Sequence, residues 1–190
     1  MSANTLLPGE QSRALIWTVV PAGTLSARDS VRRSTPTLDY DFRAGMDNRT
    51  DFGIRVNNLS GVIGTYRRRL DATSGVDTRA TAVLLGAGFV NGGQHAHLES
   101  TLMMSARESA AIMPYGGIRA LQVIPMTPEA DKDTPTIGAY GGARFGDRYF
   151  GMSLEVGVFY DRSVLGLRSR DVVVVPSLTI HGSPYSRRGR

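Results

Sequence analysis

The chain has 190 residues, a formal net charge of +5 and no cysteine, and its length suits one domain with one core or one barrel. Without cysteine, disulfides and thiolate metal sites are excluded. No run approaches the roughly eighteen apolar residues of a membrane-spanning helix, although a strand-built barrel escapes that test because each crossing needs only about ten alternating residues.

In chain order, the N-terminal MSANTLLPGEQSR lacks the basic and apolar regions of an export signal, so none is expected within this chain. Ten strands are predicted, near 12–20, 36–46, 51–57, 61–70, 78–90, 96–105, 111–123, 135–145, 149–160 and 171–181. The clearest lie early. In LDYDFRAGM, Leu38, Tyr40, Phe42, Ala44 and Met46 alternate with Asp39, Asp41, Arg43 and Gly45. After the polar turn Asp47-Asn48-Arg49-Thr50, Phe52, Ile54 and Val56 alternate with Asp51, Gly53, Arg55 and Asn57. Side chains of a strand point to opposite faces with period two, so one face is apolar and the other charged. Strand 149–160 repeats the pattern, with Phe150, Met152, Leu154, Val156, Val158 and Tyr160 on one side. Ser153 and Glu155 sit on the other, joined by Phe159. The stretch Ser105 to Ala111 is too short and polar for a helix and reads as a turn.

Short strands punctuated by Gly, Asn, Asp and Pro, with no helix between them, predict an all-β fold. The form expected is a single antiparallel up-and-down barrel of about eight to ten strands. The connections alternate. Those near 47–50, 71–77, 106–110 and 146–148 are tight or modest, whereas the other set includes the long loops 22–35, 124–134 and 162–170. Outer-membrane barrels have short turns at one end and longer loops at the other. The expected organisation is one domain: residues 1–35 with the first strand and a long loop, 36–182 as the barrel, and a basic disordered tail at 183–190.

Two readings of the alternation remain open at this point, because period two does not fix which face is inside. With the apolar face outward, Leu38, Tyr40, Phe42, Phe52, Ile54, Val56, Met152, Leu154, Val156 and Val158 meet lipid. The lumen then holds Asp39, Asp41, Arg43, Asp51, Arg55, Arg67, Arg69, Glu99, Arg119, Arg144 and Glu155. Of Arg67, Arg68 and Arg69, one must face outward and snorkel from a strand end. Trp17, Tyr115, Tyr149, Phe150 and Tyr160 lie near strand ends and suit interfacial girdles. With the apolar face inward, the chain is a soluble calycin-like barrel that binds a small apolar ligand.

The turn Asp47-Asn48-Arg49-Thr50-Asp51 followed by Phe52-Gly53-Ile54-Arg55-Val56 resembles small bacterial outer-membrane β-barrel proteins, in which a D-x-R-T-D/E turn precedes Φ-G-Φ-R-Φ. Pro114-Tyr115-Gly116-Gly117 and Ala139-Tyr140-Gly141-Gly142 are similar to aromatic-glycine strands of that group. The resemblance, over about Leu38 to Gly182, implies a closed barrel in the bacterial outer membrane, with membrane lipids as partners and no defined activity. Surface partners would be met by loops 22–35, 124–134 and 162–170. The last strand departs from the family's terminal aromatic, ending Leu178-Thr179-Ile180-His181-Gly182 before a basic tail.

Chemistry is sparse. His97, Glu99 and Ser100 supply the residue types of a lipid-modifying barrel hydrolase, a third reading, but Ser100 should point away from His97 on a regular strand. His95 and His97 at i, i+2 are the candidate metal ligands, with His181 the only other histidine. No phosphate loop occurs, and Gly86-Ala87-Gly88 lacks the following helix of a dinucleotide site. The chain is therefore expected to be non-catalytic and without a cofactor. Tyr66-Arg67-Arg68-Arg69 lacks a nucleic-acid module around it, and no nucleic-acid partner is expected.

Overall fold

A computed structural model describes residues 3–20, 35–58, 60–71, 79–107, 112–126, 135–147, 150–160 and 172–182. They form the predicted all-β fold, an antiparallel barrel closed by ten strands. The strands are β1 (Gln11–Val20), β2 (Thr35–Gly45), β3 (Thr50–Asn57), β4 (Gly61–Arg69), β5 (Ala80–Val90), β6 (His95–Ser105), β7 (Ile112–Pro125), β8 (Thr136–Gly146), β9 (Phe150–Tyr160) and β10 (Val172–Gly182). Each pairs with its sequence neighbours, and β1 closes the cylinder on β10, with Leu15 opposite Ile180 and Trp17 opposite Leu178. Closure leaves no unpaired sheet edge, the one strand arrangement that removes the tendency to pair with other chains.

The even strand count brings β1 and β10 back to one end, here the turn end, with the connections at 46–49, 70–79, 106–111 and 147–149. The loop end carries 21–34, 58–60, 91–94, 126–135 and 161–171. β7 runs to Pro125, so Ile124 and Pro125 belong to a strand and not to a loop as predicted; the rest of the three long loops lies mostly outside the described residues, as does the tail. At the turn end, Asp47 closes the β2–β3 turn by accepting the Arg49 N–H at 2.7 Å. Hydrogen bonds from Thr50 and from Arg49 hold its carboxyl below the usual carboxylate range. The stabilisation from this turn is present above the ordinary aspartate pKa and is lost as pH falls through the lowered value. At the loop end, Asn58 has a positive φ of 42°, and its N–H donates to Asp39 Oδ1 at 3.2 Å. A short polar residue tolerates that backbone best after glycine.

Every strand places large apolar side chains on the outer face. Leu15, Leu38, Ile54, Val62, Leu85, Leu102, Ile118, Ile137, Leu154 and Ile180 are one from each, all exposed. Inside, an apolar cluster lies in the turn-ward half of the lumen, where Ala80, Ala82, Leu84, Met103, Tyr115 and Tyr140 pack with Ala3, and Ile63, Val123 and Phe159 are buried nearer the loop end. Ala3, Asn4 and Thr5 are buried there, below the start of β1. The segment is tied by Leu6 N–H to Asp51 Oδ2 (3.2 Å) and by Thr5 Oγ1 to the Asn48 carbonyl (3.4 Å). Nothing periodic in that stretch of sequence signals burial; the wall around it does the work by supplying polar partners.

Candidate functional site

The inner face of the wall carries ions in two tiers. In the lower tier, nearer the turns, Asp51 is fully buried between two arginines. Arg43 donates Nε at 2.8 Å and Nη2 at 2.5 Å to its Oδ1, while Arg67 donates Nε at 2.9 Å and also Nη2 to its Oδ2. Arg43 Nη1 reaches Thr65 Oγ1 at 3.2 Å. Such forked pairing suits the planar guanidinium and fixes it tightly. Arg69 is held by Asp71 at 3.5 Å.

The upper tier begins at Arg55. Its Nη1 donates to Glu99 Oε2 at 3.2 Å, and its Nε lies 3.9 Å from Asp41, which is also 3.9 Å from Arg43. The two tiers therefore share a carboxylate and form one chain of charges across β2, β3, β4 and β6. His97 Nε2 stands 3.7 Å from Glu99 Oε2. Across the lumen, the Arg119 guanidinium lies 4.8 Å over the Tyr140 ring, a cation–π contact that alternation did not foretell. Asp39, Arg119, Arg144 and Glu155 are half-buried on the same inner face.

Above these ions lies a cavity of about 260 Å³ toward the loop end. Its floor and one wall are Asp39, Arg55, His97, Glu99, Arg119 and Glu155. The β1, β2 and β10 side is smooth and hydroxylic, with Thr18, Thr37, Ser177 and Thr179, and Ile16, Leu121, Phe159 and Val175 give it apolar patches. The hydroxyl residues were not singled out from sequence, although Ser177 and Thr179 at alternate positions of β10 are a legible sign of a polar inner face. Glycine makes room for the ions. A Cβ on Gly86 would come within 2.5 Å of Glu99 Cγ, directly across the β5–β6 pair. Gly86 is thus a gap into which the Glu99 side chain lies, and no dinucleotide geometry is needed to explain it.

The remaining candidates separate. Leu38, Tyr40, Phe52, Ile54, Met152, Leu154, Val156 and Val158 are exposed on the outer face, with Phe42 and Val56 partly so. Arg68 is the outward member of the arginine run, at the turn-ward end of β4. Trp17, Phe150 and Tyr160 are also exposed on the outer face. Tyr115 is not part of any outer girdle: it is buried in the lumen, its ring centroid 6.4 Å from that of Tyr140. Tyr115 shares the inward parity of Met113 and Arg119 on β7, and Gly142 on the paired strand leaves the space over which its ring lies. Tyr149 lies outside the described residues.

His97 and Glu99 meet inside, whereas Ser100 is exposed on the outer face, so these three residues do not assemble a hydrolase triad. His95 sits at the loop end, its Nδ1 3.4 Å from Asn91. Among the described residues no cluster of three His, Asp or Glu side chains could hold a metal ion. His181 is near the turn end, beside Gly151 on β9, far along the barrel from His95 and His97.

No family model matches this chain, and no curated protein matches it in sequence. Solved structures that this chain matches include the following two. Ail, the attachment invasion locus protein of Yersinia pestis, is 10% identical, with 93% of this chain and 99% of that chain covered and a TM-score of 0.29. The outer membrane protein OprG from Pseudomonas aeruginosa is 12% identical, with 96% and 97% covered and a TM-score of 0.32. At that level the likeness says nothing of function.

Proposed function

We propose that this chain is a bacterial outer-membrane β-barrel with a polar, side-chain-filled lumen, non-catalytic, acting as a structural or surface-interacting protein through its long loops. One observation carries the reading: all ten strands turn large apolar side chains outward while charged side chains occupy the inside. In water, a continuous apolar belt around the whole circumference would far exceed the few hundred Å² that soluble monomers expose. In a bilayer the same belt is the favourable surface, and strands of 8 to 14 residues are near the length needed to cross the hydrocarbon. The soluble alternative requires Leu38, Phe42, Ile54 and Val56 to form a core, and their outward placement favours the membrane.

A barrel of this size fills its interior with side chains rather than leaving an open pore. The Arg43–Asp51–Arg67 cluster and the buried Ala3–Thr5 segment support an occluded lumen at the turn end. Arg13 and Arg68, outward near that end, are placed where long cationic side chains reach lipid headgroups. The loops are left as the surface through which an outside partner would be met.

The test is extraction. Expressed with an export signal in a bacterial host, the protein is expected to stay with the outer-membrane fraction through an alkaline carbonate wash and to show a heat-dependent gel mobility. Release into the soluble fraction as a folded protein would refute the reading.

A further inference from the structure

No strand of the barrel lacks a neighbour on either side, but the ladder that completes the cylinder stops short. β1 and β10 pair from Arg13 opposite Gly182 to Thr18 opposite Ser177. Beyond that rung both run on toward the loop end without pairing to each other. β1 continues to Val20, still paired with β2, and β10 reaches back to Val172, still paired with β9. Among the described residues, at no other junction do both neighbours continue two residues or more past their last rung. Pro176, which would face Val19 on the next rung, has no N–H to give, and sheets accept proline where a strand is not bonded on both sides. Backbone left unpaired at membrane depth is tolerated where it lines a polar cavity. The loop-ward cavity lies behind this seam, with Thr18 of β1 and Val175, Ser177 and Thr179 of β10 in its wall.

We infer that the seam is a lateral port, through which the cavity takes the polar head of a neutral, hydroxyl-bearing single-chain amphiphile while the hydrocarbon chain stays in the bilayer. The rim suits the chain, since Trp17, Val19, Val174 and Pro176 are exposed on the outer face around the gap. The gap also lies between two exposed aromatic rings, Trp17 just below it and Tyr160 opposite Val172 at its upper end. Tryptophan and tyrosine on an outer face mark the headgroup boundary, the depth at which an amphiphile carries its head. Inside, Thr18, Ser177 and Thr179 are half-buried, and their hydroxyls bond no other described residue. Each hydroxyl both donates and accepts. The charges behind them are engaged: Arg55 with Glu99, Asp39 with the Asn58 N–H and Arg119 over the Tyr140 ring, and Glu155 has partners of its own. A charged head would be desolvated here without a counter-ion to spare, whereas a hydroxyl head exchanges hydrogen bonds with the wall. A cavity of about 260 Å³ admits a head of glycerol's size. The port faces whatever surrounds the barrel, so the assignment rests on the outer-membrane reading.

The experiment uses the single tryptophan, which stands on the outer rim of the port. The folded barrel in phosphatidylcholine vesicles at alkaline pH receives three lipids brominated on the same acyl chain: a monoacylglycerol, the fatty acid as its carboxylate, and phosphatidylcholine. The monoacylglycerol is expected to quench Trp17 saturably at low mole fraction, above the linear, collisional quenching given by the other two. Ser177→Ala with Thr179→Val removes two inner hydroxyls without adding bulk. The pair should weaken the saturable component roughly tenfold or more, the loss expected of two hydrogen bonds, and leave heat-shifted mobility and linear quenching unchanged. If the double variant does not fold, the comparison of the three heads on the parent barrel still decides. Linear quenching alike for all three, saturation by the carboxylate as strong as by the monoacylglycerol, or unchanged saturation in the folded double variant would each overturn the port. Absence of any quenching by brominated phosphatidylcholine is a different result, and would overturn the membrane reading and the port with it.

Discussion

Asp51→Asn is expected to destabilise the barrel by about 3–5 kcal/mol, the usual cost of removing one partner from a buried ion cluster. The carboxylate of Asp51 is fully inaccessible, and each of its oxygens is held by a different arginine. An amide supplies one acceptor oxygen instead of two and no charge, so Arg43 and Arg67, both buried, are left facing each other as like charges. The amide nitrogen, a donor, would also replace one of the two oxygens that now accept from Arg43, Arg67 and the Leu6 N–H. The loosened contact to Leu6 should in turn free the segment that fills the turn-ward end of the lumen. The quantity to measure is the urea midpoint of the protein refolded into lipid vesicles, read by gel mobility. A midpoint within error of the parent would mean that the cluster carries no net stability. Replacing Arg43, Asp51 and Arg67 together by apolar residues of similar volume is expected to recover much of the loss, because the desolvation cost of all three charges then disappears with their attraction.

The second large effect is on the outer face. Leu154 is half exposed near the middle of β9, paired with Leu178 and Ala143 on its two neighbours. On the surface of a soluble protein, Leu154→Arg would change stability by no more than about 0.5 kcal/mol. Within a hydrocarbon belt, an arginine at mid-depth costs about 2–4 kcal/mol, falling to about 0–1 near the interfaces. Leu154→Arg should therefore lower the unfolding midpoint in vesicles clearly, and Phe150→Arg, at the turn-ward end of the same strand, should lower it little. Equal and small effects at both positions would contradict a bilayer around the strands.

Much of this barrel was legible in the sequence because period two is a strong signal wherever one face is apolar and the other charged. From Asp39 to Arg43 and from Asp51 to Arg55 burial alternates with the same period as the sequence, and Phe159 follows the parity of β9 against its own hydrophobicity. The opposition of Ser100 to His97 was legible for the same reason. Three things were not. Partner choice among the ions depends on cross-strand register, so nothing in the one-dimensional pattern tells that Asp51 bridges Arg43 and Arg67 while Glu99 takes Arg55. The room for the Tyr115 ring is left by a glycine, Gly142, that is distant in sequence and adjacent only once β7 and β8 pair, although the ring's inward direction follows from the parity it shares with Arg119. The burial of Ala3 to Thr5 is a tertiary effect on a segment with no periodicity of its own. The end of β7 was misplaced because Val123-Ile124-Pro125 gives no punctuation before the proline, which occupies the last position of the strand.

The most direct measurement uses the single tryptophan. Trp17 is 54% exposed on the outer face of β1, opposite Leu38 and Leu178, with no other indole to confuse its emission. In vesicles whose lipids carry bromine on the acyl chains, the account predicts that most of its fluorescence is quenched and that iodide in the aqueous phase has little effect. Strong quenching by iodide with none by the brominated chains would place this face of the barrel in water and contradict it.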